Sequence, residues 1–280
     1  MSLLTFHSTQ YPALFKTISQ QLSFKSSPKP YFCTVQYISF ILRRIWCGWF
    51  FLVGILSFLV FYPFFLIFLS REKWFPLAFR LKKVWAHIIL FFSGIFYTIK
   101  REGIILKDKA YVICPNHASY LDIVLTNIAF PNYFHFMGKA ELQNVPLFNI
   151  FFKKMNIPVN RGSIKDSHKA FERAKNDLDK NIGIAIFPEA TIPACAPKLG
   201  PFKNGAFRLA IEKQVPVVPI TFKDNWRIFP DRQGARYLCR PGLSRIIIHS
   251  PIETKGMGNE HTSVLRQSVH DCISEQLKTK

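Results

Sequence analysis

Acidic residues are scarce in this chain. It has 17 Asp and Glu against 37 Lys and Arg, so its formal net charge is +20. Such an excess favours an anionic partner, which is nucleic acid, anionic lipid or a phosphorylated small molecule. Nucleic acid is the weakest of these, because the sequence has no run of five basic residues, no zinc-finger spacing and no aromatic RNA-binding signature. We therefore expect a lipid or phosphate partner and no nucleic acid.

Cysteine is also sparse, and no two cysteines form a CxxC pair. This argues against a disulfide framework and against a structural zinc site. We expect buried or lipid-facing thiols in a reducing compartment. The six residues are Cys33, Cys47, Cys114, Cys195, Cys239 and Cys272.

Phenylalanine, in contrast, is abundant, with 29 copies, and 49% of the chain is hydrophobic. The apolar residues concentrate in two uncharged stretches, at 45–70 and 84–99. As a helix the first would extend about 39 Å, more than the ~30 Å hydrocarbon core of a bilayer. Pro63 should kink or break it. The second is too short for an upright span and carries His87, and basic residues flank both.

Two arrangements fit these flanks: an out-and-back helical pair, or two helices that dip into one leaflet and return. We favour the shallow pair. The sequence thus predicts a flexible tail at 1–30, a membrane-associated helical segment at 31–100 and a catalytic domain at 101–280.

The rest of the chain has an α/β rhythm. Short apolar strands are predicted at 110–114, 182–187, 215–222 and 245–249, and helical spacing of apolar residues falls between them. Pro216 and Pro219 should confine the third strand to a sheet edge or lie at its ends. We expect an α/β fold with a mixed central sheet and flanking helices, preceded by a membrane-embedded two-helix segment.

His117 and Asp122 follow the first of these strands and form a His-x4-Asp pair. On a straight helix they would lie about 140° apart, so they meet only if His117 is in the preceding loop and Asp122 in the first turn. Ser119 supports that start, because Ser-x-x-Asp resembles a capping box. Asp122 would then orient the imidazole as a general base. A helix cap beside an unrelated histidine is the alternative reading.

Together with further blocks, this stretch resembles the lysophosphatidate (1-acylglycerol-3-phosphate) acyltransferases and their glycerolipid acyltransferase relatives. The similarity covers roughly residues 84–250. The blocks, in order, are Asn116-His117 with Asp122, Gly138-Lys139-Ala140-Glu141-Leu142, Val159-Asn160-Arg161-Gly162-Ser163, Phe187-Pro188-Glu189-Ala190-Thr191, and Val215-Pro216-Val217-Val218-Pro219-Ile220.

The resemblance implies a membrane-bound enzyme that uses acyl-CoA or acyl-carrier protein as co-substrate and needs no cofactor or metal. His117 would be the general base and Asp122 its orienting partner. Lysophosphatidate would be the acceptor, and phosphatidate the product, at the cytoplasmic face of the inner membrane. The residues implied for substrate binding are Asn116, Lys139, Arg161, Glu189 and Thr191.

Two residues depart from the family pattern. Ala190 stands where the family has Gly, and an alanine disfavours a positive φ. Ile192 stands where the family often has Arg, so a phosphate ligand is missing unless Lys198 or Lys203 replaces it.

Three alternative functions stay open: an O-acyltransferase for another lysolipid such as a lyso-aminolipid, a metal-dependent hydrolase using His117, Asp122 and Glu189, and a non-enzymatic membrane-binding protein.

Overall fold

A computed structural model describes residues 30–146, 149–231 and 239–278. The chain divides into two units, 1–42 and 43–280. In the first unit the described residues form the beginning of one long helix, and the tail predicted at 1–30 lies almost wholly outside the described residues. The second unit contains the sheet and all the site residues considered below.

The elements alternate as the sequence predicts. The helices are α1 Pro30–Phe68, α2 Phe75–Phe92, α3 Leu121–Ala129, α4 Asn149–Lys154, α5 Ile164–Asp179, α6 Gly205–Lys213, α7 Asn225–Ile228 and α8 Thr262–Lys278. The strands are β1 Ile95–Arg101, β2 Val112–Pro115, β3 Phe134–Lys139, β4 Ile157–Val159, β5 Gly183–Ala185, β6 Val217–Phe222 and β7 Gly242–Ile248.

The seven strands form one mixed sheet in the order β1-β7-β6-β2-β5-β3-β4. All neighbours are parallel except β6 and β7, which are antiparallel. Successive residues of β2 face opposite sides: Ile113 packs with α2 and α3, whereas Val112 and Cys114 pack with α5, α6 and α8. The predicted α/β fold with flanking helices is confirmed.

The position of β6 corrects the expectation drawn from its prolines. β6 lies between β2 and β7 and is fully buried, so it is not an edge strand. Pro216 precedes the strand, as expected. Pro219 is tolerated because the register places it opposite His249, one residue beyond the end of β7. Its carbonyl accepts from the His249 amide at 3.1 Å, and the N–H it lacks would face no strand residue.

The second apolar stretch, at 84–99, does not form the membrane helix that the sequence predicted. It is the end of α2 followed by the start of β1, joined by Gly94 at φ +63. The β-branched and aromatic residues after Gly94 favour a strand, and β1 pairs along its whole length with β7. The catalytic sheet therefore begins at Ile95, before the boundary placed at residue 101.

One described helix is long and apolar enough to cross a membrane, at Tyr37–Phe68 within α1, and 17% of its most apolar window is buried. It continues through Pro63 without a break. Toward its end Phe58, Phe65 and Leu69 pack against α2 and α4. The two-helix segment is thus one long apolar helix and a second helix, α2, that is packed into the domain.

Candidate active site

The predicted catalytic pair is brought together at the end of β2. His117 lies in the loop after the strand, and Asp122 lies in the first turn of α3. His117 Nδ1 and Asp122 Oδ2 are 3.0 Å apart. The loop-then-helix geometry expected from the five-residue spacing is present.

Asp122 is fully buried and held by four donors. Oδ2 accepts from the His117 ring and from the amides of Ala118 at 2.7 Å and Ser119 at 2.8 Å. Oδ1 accepts from Asn225 Nδ2 at 2.7 Å, and Asn225 Oδ1 accepts in turn from Ser244 Oγ at 2.6 Å. The carboxylate cannot rotate without breaking several of these bonds, so it fixes the ring of His117.

The other ring nitrogen of His117 is left for chemistry. In the described part of the chain Nε2 has no hydrogen-bond partner, and the ring lines a large cavity. The network assigns the proton to Nδ1, which donates to Asp122, and leaves a lone pair on Nε2. The ring stacks on Phe187, with centroids 4.0 Å apart and planes 21° apart. The hydrogen bond to Asp122 therefore orients the His117 ring at its edge, and the stacking on Phe187 orients it at its face.

Asn116, implied as a substrate-binding residue, is instead tied to the sheet. Its amide bridges the backbone of Phe222: Oδ1 accepts from the Phe222 amide at 2.7 Å and Nδ2 donates to the Phe222 carbonyl at 3.2 Å. The residue is buried and does not line the cavity. Asn116 therefore positions the loop after β2, and the substrate-binding assignment is corrected.

Glu189 is corrected in the same way. One carboxylate oxygen accepts from the His117 amide at 2.7 Å and the other from the Gly200 amide at 2.7 Å. Burial raises the pKa of Glu189 to about 6, while these two bonds oppose the shift. Glu189 therefore holds the backbone of the loop that carries His117, and it is not part of the cavity lining.

A cavity of 760 Å³ opens beside His117. Its wall is mainly apolar and comes from α2, α3, β3 and α4, which contribute residues such as Ile89, Ile123 and Phe151. Lys139, Arg161 and Thr191, implied by the resemblance, line it and are exposed. Lys203 does so too, whereas Lys198 is not part of the lining. The structure thus places the His117 ring beside an apolar cavity with three exposed cations in its lining.

The sequence comparisons agree with this site. The family model described as Acyltransferase matches residues 97–223. An uncharacterized acyltransferase of Schizosaccharomyces pombe is 30% identical over 185 residues, which are 65% of this chain and 65% of the relative. A chloroplastic 1-acyl-sn-glycerol-3-phosphate acyltransferase of Arabidopsis thaliana is 32% identical over 174 residues, 61% of this chain and 47% of the relative. Residues 97–223 are thus similar to the acyltransferase family, and the similar relatives include a lysophosphatidate acyltransferase.

The alignments span less than two thirds of either relative's length. Among solved structures, the 1-acyl-sn-glycerophosphate acyltransferase PlsC from Thermotoga maritima has the same fold. The TM-score is 0.72 at 22% sequence identity, over 86% of this chain and 98% of that one.

Ala190, the first departure from the acyltransferase pattern, takes the backbone conformation expected of the family's glycine. Its φ is +68, in the left-handed region. A non-glycine residue there costs roughly 1–2 kcal/mol, since its Cβ approaches the following carbonyl. The turn is retained in spite of the alanine, and the expected strain is present.

The second departure, Ile192, lines the cavity. Lys203, from the loop before α6, lines the same cavity, and its backbone amide donates to the Pro188 carbonyl at 2.8 Å. A cation is thus available near the place where the family often has arginine.

Cys114 and Ser119 are the cysteine and the serine nearest to His117 in the sequence, and neither is hydrogen-bonded to its ring. Cys114 is fully buried on the opposite face of the sheet, and burial raises the pKa of its thiol. The Ser119 hydroxyl donates to the Phe229 carbonyl at 2.5 Å and accepts from the Leu121 amide. Neither Cys114 nor Ser119 is therefore placed to form an acyl-enzyme intermediate at this histidine.

The hydrolase alternative needs a metal held by His117, Asp122 and Glu189. The described residues contain no group of three or more such side chains placed to hold a metal ion. Moreover, the Asp122 and Glu189 carboxylates face N–H donors, which a cation would have to displace. The donor set does not fit a metal.

Asn225 and Phe187 are site residues that the sequence reasoning missed. Asn225 follows β6 by three residues, within the polar run after that buried strand. The rule that drew attention to His117, a polar residue just beyond a strand end, would also have found Asn225. Phe187 was treated only as part of a block, and no sequence signal shows that its ring lies under the imidazole.

Proposed function

We propose that this protein transfers a fatty acyl group from acyl-CoA or acyl-carrier protein to the free hydroxyl of 1-acyl-sn-glycerol-3-phosphate, giving phosphatidate for phospholipid biosynthesis. The observation that supports the proposal most strongly is the position of the His117 ring between Asp122 and the cavity. One ring nitrogen is locked by a buried carboxylate, and the other faces a cavity bounded by apolar wall and cations.

The chemistry follows from this arrangement. The acceptor hydroxyl gives its proton to His117 Nε2 as its oxygen attacks the thioester carbonyl carbon. The tetrahedral species then expels the thiolate as the carbon–sulfur bond breaks, and the imidazolium can return its proton to the sulfur. The Asp122 carboxylate stabilises the imidazolium. A positioned base contributes typically 10²–10⁴-fold, and binding both substrates in one cavity adds proximity.

The cavity suits two lipid substrates. Its apolar part can hold an acyl chain, because buried methylene groups gain roughly 0.8 kcal/mol each. The exposed cations Arg161, Lys139 and Lys203 can bind the acceptor phosphate, with Arg161 offering a bidentate fork. Thr191, also in the lining, can donate a hydrogen bond to the same acceptor.

A second candidate keeps the reaction and changes the acceptor to another lysolipid, such as a lyso-aminolipid. The observation that favours it is Ile192, an apolar residue in the cavity lining where the family often has arginine. Lys203 weighs against it, because a cation is still available nearby.

Membrane attachment through α1 is part of the proposal. Residues 37–68 are long and apolar enough to span a bilayer, and Arg43, Arg44 and Arg71 flank most of that length. Basic residues stand at both ends of this length, so the charge bias does not choose a side. We place the catalytic domain on the cytoplasmic side, as the resemblance to the lysophosphatidate acyltransferases implies. Protease protection of sealed vesicles carrying the full chain would test that side.

The test of function is thiol release by the full chain in detergent. Palmitoyl-CoA and palmitoyl-acyl-carrier protein would each be offered with lysophosphatidate, with a phosphate-free lysolipid, or with no acceptor. We expect release that requires lysophosphatidate. Release with the other lysolipid alone would move the acceptor to the second candidate, and release without acceptor would indicate a thioesterase.

The matched variants in this assay are His117→Ala and His168→Ala. His117→Ala should abolish transfer while the protein stays folded, because only the base is lost. His168 is exposed on α5, so its removal should change nothing. Near-normal turnover of His117→Ala would refute the general-base assignment.

A further inference from the structure

Two polar side chains interrupt the apolar wall of the cavity. Lys82 on α2 and Asn127 on α3 both line it, and each is 7% exposed. Both lie on the cavity-facing stripe of their helix: α2 presents Lys82, Trp85, Ala86 and Ile89, and α3 presents Ile123, Val124 and Asn127. A chain that fills the apolar part of the cavity must pass them.

Lys82 has no hydrogen-bond acceptor. Its Nζ lies among three rings, at 5.3 Å from the centroid of Phe79, 5.9 Å from Phe136 and 5.8 Å from Phe151. Across the described ranges no carbonyl or carboxylate accepts a hydrogen bond from it. Burial lowers the pKa of Lys82 to about 7, so at neutral pH a large share is the uncharged amine, with two N–H groups and one lone pair.

Asn127, in contrast, has a hydrogen-bond acceptor that lacks a donor. Its Nδ2 donates to the Ile123 carbonyl at 2.8 Å, but its Oδ1 is buried and has no partner among the described residues. Nearly all buried side-chain polar atoms in proteins have a partner, so the unpaired Asn127 Oδ1 calls for a ligand atom or a water. The Lys82 amine on the same cavity wall can bind that atom as well. Trp85, on the same stripe of α2, shows the contrast: its indole N–H is paired with Ser57 Oγ at 3.0 Å.

The two groups lie below the catalytic pair. Asn127 is five residues after Asp122 on one helix, an axial distance of about 7.5 Å. Phe136, whose ring contacts Lys82, is three residues before Lys139 on β3, about 10 Å along the strand. An acyl chain whose thioester is at His117 would reach this depth with its interior carbons.

We propose that the cavity selects a fatty acyl chain that carries a hydroxyl group on an interior carbon, with Lys82 and Asn127 as the residues that recognise it. The inference rests on the proposed acyl transfer. A hydroxyl is one donor and one acceptor. It can donate to Asn127 Oδ1 and accept from the Lys82 amine, whereas a plain methylene chain binds neither group and leaves the buried Asn127 Oδ1 unpaired.

The experiment compares stearoyl thioesters that are plain or carry one hydroxyl, moved along the chain, as donors to lysophosphatidate. The wild type should have a higher kcat/KM for a donor hydroxylated at an interior carbon than for the plain donor. Lys82→Met and Asn127→Leu, which replace each polar group by an apolar one of similar size, should each lower that ratio on the order of tenfold. Val84→Leu, at an exposed residue of α2 outside the cavity lining, is the control and should leave the ratio unchanged.

A second readout separates this inference from the transfer itself. Free stearic and hydroxystearic acids would compete with a fluorescent fatty acid for the full-length protein. Preferred displacement by the hydroxylated acid, without transfer from any donor, would reject the proposed function and keep the selectivity. No preference by the wild type in either readout, or a preference that survives both substitutions, would overturn the inference and mean that the two groups hold a bound water only.

Discussion

Asp122 holds the backbone of the loop after β2 and places a negative charge beside His117. Two substitutions separate these two roles. Asp122→Ala removes an acceptor for the amides of Ala118 and Ser119, for His117 Nδ1 and for Asn225 Nδ2. Asp122→Asn keeps one oxygen toward the two amides and the ring. The NH₂ group that this substitution introduces then meets Asn225, which can turn its own amide over, accept from that NH₂ group, and donate to the Ser244 hydroxyl.

The magnitudes follow from the count of orphaned donors. In Asp122→Ala the two loop amides lose their acceptor in a buried site, at about 1–3 kcal/mol each, so the free energy of unfolding should fall by roughly 2–6 kcal/mol. For a chain of 280 residues this lowers Tm by about 3–10 °C. Asp122→Asn should lower Tm far less. It nevertheless removes the charge that stabilises the imidazolium, so kcat should fall by about 10²–10⁴ in both variants.

The assay pairs thermal unfolding in detergent with thiol release from palmitoyl-CoA. Asn225→Ala is the control, because it removes one donor to Oδ1 and leaves the His117 contact in place. If Asp122→Ala and Asp122→Asn unfolded at the same temperature, the carboxylate would not organise the loop. If Asp122→Asn retained full kcat, its charge would have no part in the reaction.

Three further predictions concern residues around the pair. Burial raises the pKa of Glu189 from 4.5 to about 6, so the protonated form is favoured in the folded state. The contribution of this group to the free energy of unfolding should be complete below about pH 4.5 and lost as pH rises to about 6, a change of about 2 kcal/mol. Glu189→Gln should not show this change when unfolding is measured as a function of pH. Ala190→Gly should relieve the positive φ and raise Tm by about 1–2 °C, whereas the control Ala140→Gly, at a residue without positive φ, should lower it. Arg161→Ala should raise the KM for lysophosphatidate more than the KM for the donor, and the opposite order would place Arg161 at the donor.

The sequence was sufficient for the alternation of strands and helices and for the contact between His117 and Asp122. Both depend on local patterns: the period of apolar residues, and a five-residue spacing across a strand end. The second apolar stretch was misassigned because hydrophobicity alone does not distinguish a helix from a strand. Only pairing with β7, about 150 residues later, makes a strand of residues 95–101.

The substrate-binding assignments failed where a polar side chain binds the backbone of a distant segment. Asn116 is paired with Phe222, and Glu189 with His117 and Gly200. In the sequence such residues look the same as ligand contacts, because the partner is a main-chain N–H or C=O that every residue carries. Lys139 and Arg161 differ, since their charged ends are exposed at the cavity.

These anchors also favour the general-base interpretation of the His-x4-Asp pair over a helix cap beside an unrelated histidine. A helix cap beside an unrelated histidine needs only Asp122 and the first amides of α3. Here Glu189 from the segment after β5 holds the His117 backbone, and Asn225 from beyond β6 holds the second Asp122 oxygen. A helix cap needs only an acceptor for the free N–H groups of the first turn of α3. Neither of these two contacts supplies one, so capping does not explain them. Both restrict the direction of the imidazole, which matters only if Nε2 must meet something in the cavity. The blocks are far apart in the chain because each follows a different strand, and they converge because β5, β2 and β6 are neighbours whose carboxyl ends share one edge of the sheet.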